Sequence, residues 1–147
     1  QDPDGAYAAV IPKWVGSLLS GRPCYVNGDG ETSRDFCYVD NVVQANLLAA
    51  MAPEDATGRV YNVAGAERTT LNQLFGMLRE RVMEHRPEAA DAEPVYAEFR
   101  PGDVRHSEAD ISRIRDGLGY RPSHGVREGL LEATRWYAEH QAEPAGR

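Results

Sequence analysis

"NGDGETSRDFCYVDN", residues 27–41, decides how the chain is read, because it sets a double-glycine turn, one arginine and a short alternating run side by side. Asn27 to Gly30 are residues that accept positive φ or bond back to their own backbone, so the chain reverses sharply here. Upstream, "CYV" at 24–26 reads as a short strand entering the turn. Downstream, "DFCYV" at 35–39 sets Phe36 and Tyr38 against Cys37 and Val39, the alternation of a strand whose two faces meet different neighbours. Asp40 or Asn41 then caps a helix over about 41–51, in which Gln44 and Asn46 are the only polar interruptions. A helix apolar nearly all round expects burial on more than one side. Arg34, between turn and strand, has two readings. It is a solvent-facing residue on a surface turn, or a guanidinium held against the strand edge to fork two hydrogen bonds onto a phosphate, a geometry that lysine lacks.

Outward from that stretch, helical and extended signals alternate. Val10, Trp14, Val15, Leu18 and Leu19 recur at helical intervals over 7–19, with Pro12 near the start and Gly21 as a stop. "RVYNVAG" at 59–65 reads as a buried strand closed by glycine. In the next helix Thr70 and Gln73 stand at capping-box spacing, and Leu71, Leu74, Phe75, Leu78 and Val82 form one stripe, the mark of a core face. Residues 84–93 are polar and read as an exposed connection; "PVYAEF" at 94–99 is a strand. Asp110 caps a short helix through Ile111, Ile114 and Leu118, and residues 125–140 make a final amphipathic helix. Strands interleaved with helices predict an α/β fold.

Composition limits the function. The 147 residues suffice for one domain with a core. They carry 23 acidic and 16 basic side chains, a net charge of -7. No broad cationic field draws such a chain to nucleic acid, so a bound anion must be gripped by a few placed cations. Lys13 is the single lysine beside fifteen arginines. No apolar run reaches the length of a membrane span, and "QDPDGAYAAVIPKW" has neither the basic nor the apolar region of a signal peptide. The expectation is a cytoplasmic protein with no membrane partner. Cys24 and Cys37 match no metal or redox spacing and read as buried thiols in a reducing compartment.

A second segment, "EFRPGDVRHSEAD" at 98–110, bears on Arg34. Arg100, Gly102 and Asp103 directly follow a strand: a cation for phosphate, a glycine for a tight turn, and a carboxylate able to accept from two neighbouring hydroxyls. Phosphate plus diol is what a nucleotide presents. R-x-G-D alone remains a short motif. A hydrolase reading of His106, Ser107 and Asp110 fails on geometry, since neighbours on a strand or turn do not make a nucleophile-to-base hydrogen bond. His85, His106, His124 and His140 are too scattered for a metal site.

Taken together, "DGAYAAVIPKW", "NGDGETSRDFCYVDNVVQANLLAA", "VYNVAGAERTTLNQL", "EFRPGDVRHSEADI" and "YRP…VREGL…WY" resemble, in order and spacing, the C-terminal substrate-binding half of the extended short-chain dehydrogenase/reductases. These are the NAD-dependent nucleotide-sugar epimerases and dehydratases, and the likeness is greatest to the UDP-N-acetylglucosamine 4-epimerases. The resemblance implies a UDP-sugar ligand, with Ala9 and Trp14 near the nucleotide, Tyr25 and Asn27 at the uracil, Arg34 and Arg100 on the diphosphate, and Asp103 on the ribose. It places Ser107 near C2 of the hexose, where a small side chain leaves room for an acetamido group, with His106 beside it at the border of the sugar. It also implies NAD in a full-length parent.

The chain itself forms neither G-x-x-G-x-x-G nor G-x-G-x-x-G, without which backbone amides cannot approach a dinucleotide pyrophosphate. Y-x-x-x-K, the family's proton-transfer pair, is also absent, since position 9 is alanine and Lys13 the lone lysine. The expectation is a half without tight NAD binding or catalysis of its own. Residues 35–64, with "RVYNVA" as a parallel strand, would complete the Rossmann sheet of a cofactor domain. The apolar helix over 41–51 would otherwise seek cover from that half or by self-association. A stand-alone nucleotide-sugar-binding module and an interaction fragment are the other readings.

Overall fold

The computed structural model describes residues 9–141; Tyr7 and Ala8, which open the predicted first helix, lie outside them. The elements run α1 (Val10–Ser20), β1 (Cys24–Asn27), β2 (Ser33–Asp35), α2 (Val39–Ala50), β3 (Arg68–Thr70), α3 (Leu71–Val82), β4 (Pro94–Ala97), α4 (Ser112–Leu118) and α5 (Val126–Gln141). They fall into two units, one of residues 9–32, 70–103 and 130–141, the other of 33–69 and 104–129.

In the first unit, α1 buries Trp14, Val15 and Leu18 as their spacing predicts. Pro12 sits in the first turn, where its missing N–H has no intrahelical partner to lose. Gly21 ends the helix at φ 68°, and Arg22 N donates to Ser17 O at 2.8 Å. Strand β1 alternates as a half-buried strand must, with Cys24 and Val26 inside and Tyr25 and Asn27 outside. It pairs in parallel with β4, from Cys24↔Pro94 to Asn27↔Ala97. Parallel neighbours need a crossover, and α3 lies between them in sequence. Its capping box is formed on both sides, Thr70 accepting from Gln73 N at 3.1 Å and Gln73 from Thr70 N at 2.9 Å. Leu74, Phe75, Leu78 and Val82 are buried, and Trp14 meets Phe75 edge-on at 5.9 Å and 82°. In α5, Leu130, Thr134 and Tyr137 are buried at helical spacing.

The 84–93 connection is more ordered than its polarity predicts. Pro87–Asp91 forms a 3-10 turn that buries Ala89. Arg86 donates to Leu19 O at 2.8 Å and, alongside Gly21 N, to Leu18 O at 3.4 Å, serving carbonyls of the last turn of α1.

The second unit buries Ala45, Ile114 and Tyr120, with Leu48, Tyr61, Val63, Ile111 and Leu118 packed round them. Tyr120 Oη donates to Ala64 O at 2.9 Å. Ile111, not the expected Asp110, holds the N-cap position of α4; Asp110, one residue earlier, accepts Ser112 N on Oδ1 at 2.8 Å, and Gly119 closes that helix at φ 70°. Three further expectations need correction here. The strand at 35–39 is shorter and earlier: pairing with β3 ends at Asp35, and Val39 is already helical. Asp35 is the cause, because Oδ1 takes Gly65 N at 2.9 Å and Oδ2 takes Ala109 N at 3.4 Å, fastening the chain where a ladder would continue. Neither Asp40 nor Asn41 caps α2; Tyr38 holds that position without a side-chain bond. Asn41, fully buried, instead accepts from Ser123 N at 2.8 Å and His124 N at 3.1 Å and donates to His124 O at 2.8 Å. Finally, 59–65 forms no strand among the described residues.

Helix α2 is not buried on more than one side either. Asn41 and Ala45 are its buried residues, while Val39, Val43 and Leu47, at successive i+4 positions, remain exposed, Leu47 at 59%. Val60 is 80% exposed. Among the described residues no helix is long and apolar enough to cross a membrane, and no three His, Cys, Asp or Glu side chains converge as a metal site.

The 27–30 turn depends on both glycines, at φ 77° each. A Cβ on Gly28 would enter the Phe99 ring, and one on Gly30 would meet the Asn72 amide. Asn72 binds this turn through Asp29 O at 3.1 Å and Glu31 at 2.7 Å, and receives Tyr96 Oη at 2.9 Å. Gly28→Ala therefore lowers stability by about 2 kcal/mol or more, from left-handed backbone strain plus overlap, read as a shifted urea midpoint. A control Gly76→Ala, inside α3 with open space around it, instead raises that midpoint, by about 0.5–1 kcal/mol of helix propensity.

Both thiols are free, and burial pushes Cys24 up from 9.0 to about 11. A raised thiol binds its proton more tightly folded than unfolded. Its stabilisation is complete below pH 9 and is lost between 9 and about 11. Cys24→Ala accordingly flattens the decline of stability with pH across that window, leaving the parts due to Cys37 and Tyr137, which burial also raises, and to Tyr120, which burial raises to about 12.

Candidate functional site

In the first unit, β1 and β4 run out at the same end into two reverse turns. Gly28 N donates to Ala97 O at 2.8 Å, extending the pairing one step into the glycine turn. After β4 and Phe99, the chain turns through Pro101 and Gly102, at φ 77°, and Asp103 N donates to Arg100 O at 3.1 Å. Proline second and a left-handed glycine third are what a type II turn demands. Arg100 and Asp103 thus stand at the two ends of one turn, both exposed. Tyr25, 61% exposed, and Asn27 share the outward side of β1. Trp14 lies on the other side of the strand: it is buried, and its Nε1 donates to Tyr25 O at 3.1 Å, so it steadies β1 from the core. Ala9 is exposed before α1, accepting from Lys13 N at 3.4 Å.

In the second unit, Arg34 lies in β2, and its Nη1 donates to Ser33 O at 2.8 Å and Arg105 O at 3.5 Å. The guanidinium is thereby drawn along its own strand edge. Ser107 N donates to Ser33 O at 3.1 Å, Ser33 N to Arg105 O at 2.9 Å, and Ser33 pairs in parallel with His106. Arg34 and Ser107 are each one residue from that bridge. Of the predicted residues, Asn27 lies at the carboxyl end of β1 and Arg100 and Asp103 in the turn that follows β4, with Tyr25 earlier on the outward side of β1, while Arg34 and Ser107 flank the bridge.

Sequence reasoning missed Phe99, Asn72, and the 2.9 Å bond between Ser33 Oγ and His106 Nδ1. In the sequence Phe99 reads only as the end of a strand; its position immediately before Arg100 is the available signal. A cleft of about 420 Å³ lies elsewhere in the first unit, lined in part by Leu18, Arg22, Cys24, Phe75, Arg86 and Glu93, and contains no predicted site residue.

Comparison with known proteins gives these groups a context. Residues 1–64 match the model of the NAD dependent epimerase/dehydratase family. The UDP-glucose 4-epimerase of Thermotoga maritima, solved with UDP-glucose, is 37% identical over 97% of this chain and 43% of its own, with a TM-score of 0.85. The UDP-N-acetylglucosamine 4-epimerase of Methanobrevibacter ruminantium, solved with UDP-N-acetylmuramic acid, is 37% identical over 95% and 42%, with a TM-score of 0.79. A dTDP-glucose 4,6-dehydratase of Streptomyces griseus is 31% identical over 90% of this chain and 38% of its own length. The chain spans about two fifths of the length of the proteins it matches. Over nearly its whole length the chain is similar in sequence and fold to these epimerases, and through residues 1–64 it matches the NAD dependent epimerase/dehydratase family.

Proposed function

We propose that these residues form the UDP-sugar-binding part of an NAD-dependent nucleotide-sugar 4-epimerase acting on UDP-N-acetylglucosamine and UDP-N-acetylgalactosamine, working in the cytoplasm, where two free thiols stay reduced. The observation that carries the reading is the turn joining Arg100 to Asp103 directly after β4, in a chain 37% identical over nearly its whole length to two 4-epimerases solved with UDP-sugars. Arg100 and Arg34 hold the diphosphate, each guanidinium offering paired N–H donors to phosphate oxygens. Asp103 accepts from the ribose hydroxyls. Tyr25 offers a ring face, and Asn27 an amide, to the uracil. Ser107 gives the C2 substituent room, and in this reading its small side chain favours the acetamido sugar. Trp14 and Ala9 support the nucleotide end from behind β1 and from the start of α1.

The residues present do not fit NAD. The two turn glycines that might cradle a pyrophosphate are closed by Phe99 and Asn72, and no Y-x-x-x-K pair exists. These residues therefore clamp the substrate and transfer no hydride, and purified chain alone is inactive as an epimerase and binds NAD weakly at most. The apolar stripe Val39, Val43 and Leu47 of α2, with Val60, is the face that meets a cofactor-binding half or, without it, another copy of the chain.

Match to the dehydratase supports one other reading, the same clamp in a nucleotide-sugar dehydratase or decarboxylase. Titration calorimetry with UDP, UDP-N-acetylglucosamine and dTDP-glucose separates the two. The 4-epimerase reading expects both uridine ligands to bind more tightly than dTDP-glucose. Arg34→Ala and Arg100→Ala each weaken UDP binding by about 10- to 100-fold, the loss of a charge-assisted contact. Undiminished binding in both variants rejects the proposal.

A further inference from the structure

We propose that Ser33 and His106 are a positioning pair that sets the spacing between Arg34 and Ser107, and that this spacing selects the hexose; the inference rests on the UDP-sugar reading above. Ser33 is buried, 4% exposed, and three bonds converge on it from one short segment: its N–H to Arg105 O, Ser107 N–H to its carbonyl, and Oγ to His106 Nδ1 at 2.9 Å. The backbone contact is an isolated bridge, with no ladder continuing on either side. Two bonds at a single residue fix a separation better than they fix the roll of the segment about them, and other ties to that segment are long, Arg34 Nη1 to Arg105 O at 3.5 Å and Ala109 N to Asp35 Oδ2 at 3.4 Å. The short side-chain bond, off that axis, limits the roll most closely. Its effect passes directly to the flanking residues, since Arg34 Nη1 is referenced to the same two carbonyls, Ser33 O and Arg105 O.

A UDP-hexose presents its diphosphate and its C2 substituent only a few bonds apart. A protein that grips the phosphate at residue 34 and makes room at residue 107 reads the distance between them, so an error in that distance falls on the hexose rather than on UDP. The Ser33 hydroxyl can donate to Nδ1 or accept from it, so the bond suits either imidazole tautomer. Neither side chain needs to touch the ligand.

The test measures the full 147-residue chain by calorimetry against UDP, UDP-glucose and UDP-N-acetylglucosamine. In Ser33→Ala and in His106→Phe, the preference for UDP-N-acetylglucosamine over UDP falls by about fivefold, while UDP affinity itself changes less than about threefold. The double variant is no worse than either single one. Ser33→Thr and His106→Asn, which restore a hydroxyl or a polar atom near the Nδ1 position, recover the preference. A merely structural role lowers melting temperatures without moving the ligand ratio. An unchanged ratio in Ser33→Ala and His106→Phe, or losses that add in the double variant, overturns the inference. If Ser33→Ala does not fold, His106→Phe at its exposed position decides. Wild-type chain that binds none of the three ligands refutes the UDP-sugar reading and this inference with it; binding with an unmoved ratio refutes the inference alone.

Discussion

Parallel pairing of Cys24–Asn27 with Pro94–Ala97 is the constraint on which the first unit depends. Parallel strands end on the same side, so whatever follows β1 and whatever follows β4 must emerge together. Here both strands run into tight turns, and Phe99 of one lies over Gly28 of the other. Loops at the carboxyl ends of parallel strands are where open α/β sheets take their ligands, because side chains and backbone amides converge there without competing with the ladder. The register decides which side chains take part: with Cys24 and Val26 committed to the core, Tyr25 and Asn27 can only face out. A one-residue slip would bury the tyrosine and expose the thiol.

Features that rest on neighbouring residues were readable in the sequence. Thr70 and Gln73 predict their capping box because both halves lie within one turn, and Gly21 stops α1 because only its own backbone is involved. The R-P-G-D turn likewise follows from proline and glycine at adjacent positions. What misled was local ambiguity resolved from a distance. Five alternating residues at 35–39 suit a strand or the approach to a helix equally, and Asp35 settles the matter by binding Gly65 and Ala109. Asn41 has the chemistry of a cap, yet it lies two residues inside α2 and binds a loop 82 positions away. The Ser33–His106 bond spans 73 positions and leaves no trace in either segment's pattern.

Helix α2 and the 59–64 segment illustrate a different limit. Their composition is that of buried elements, but burial belongs to an assembly of surfaces rather than to a sequence. Asn41, Ala45 and Leu48 face the core of their unit while Val39, Val43 and Leu47 do not. A parallel strand buried on both faces needs neighbours to complete its ladder; among the described residues "RVYNVA" has none and forms no strand. The apolar pattern and the exposed stripe are therefore compatible.

Net charge gives the placement of the arginines its meaning. At -7 the chain as a whole repels anions, so any hold on a diphosphate must be local and prearranged. A lysine would supply charge on a flexible stem with no preferred approach. Arginine supplies a planar fork, and at position 34 that fork is already tethered to two backbone carbonyls. Fixing it in advance removes part of the conformational entropy that binding an anion would otherwise cost. The same tether ties the cation to the bridge at Ser33, so that in the proposed reading strength of grip and position of grip would arise from one set of bonds.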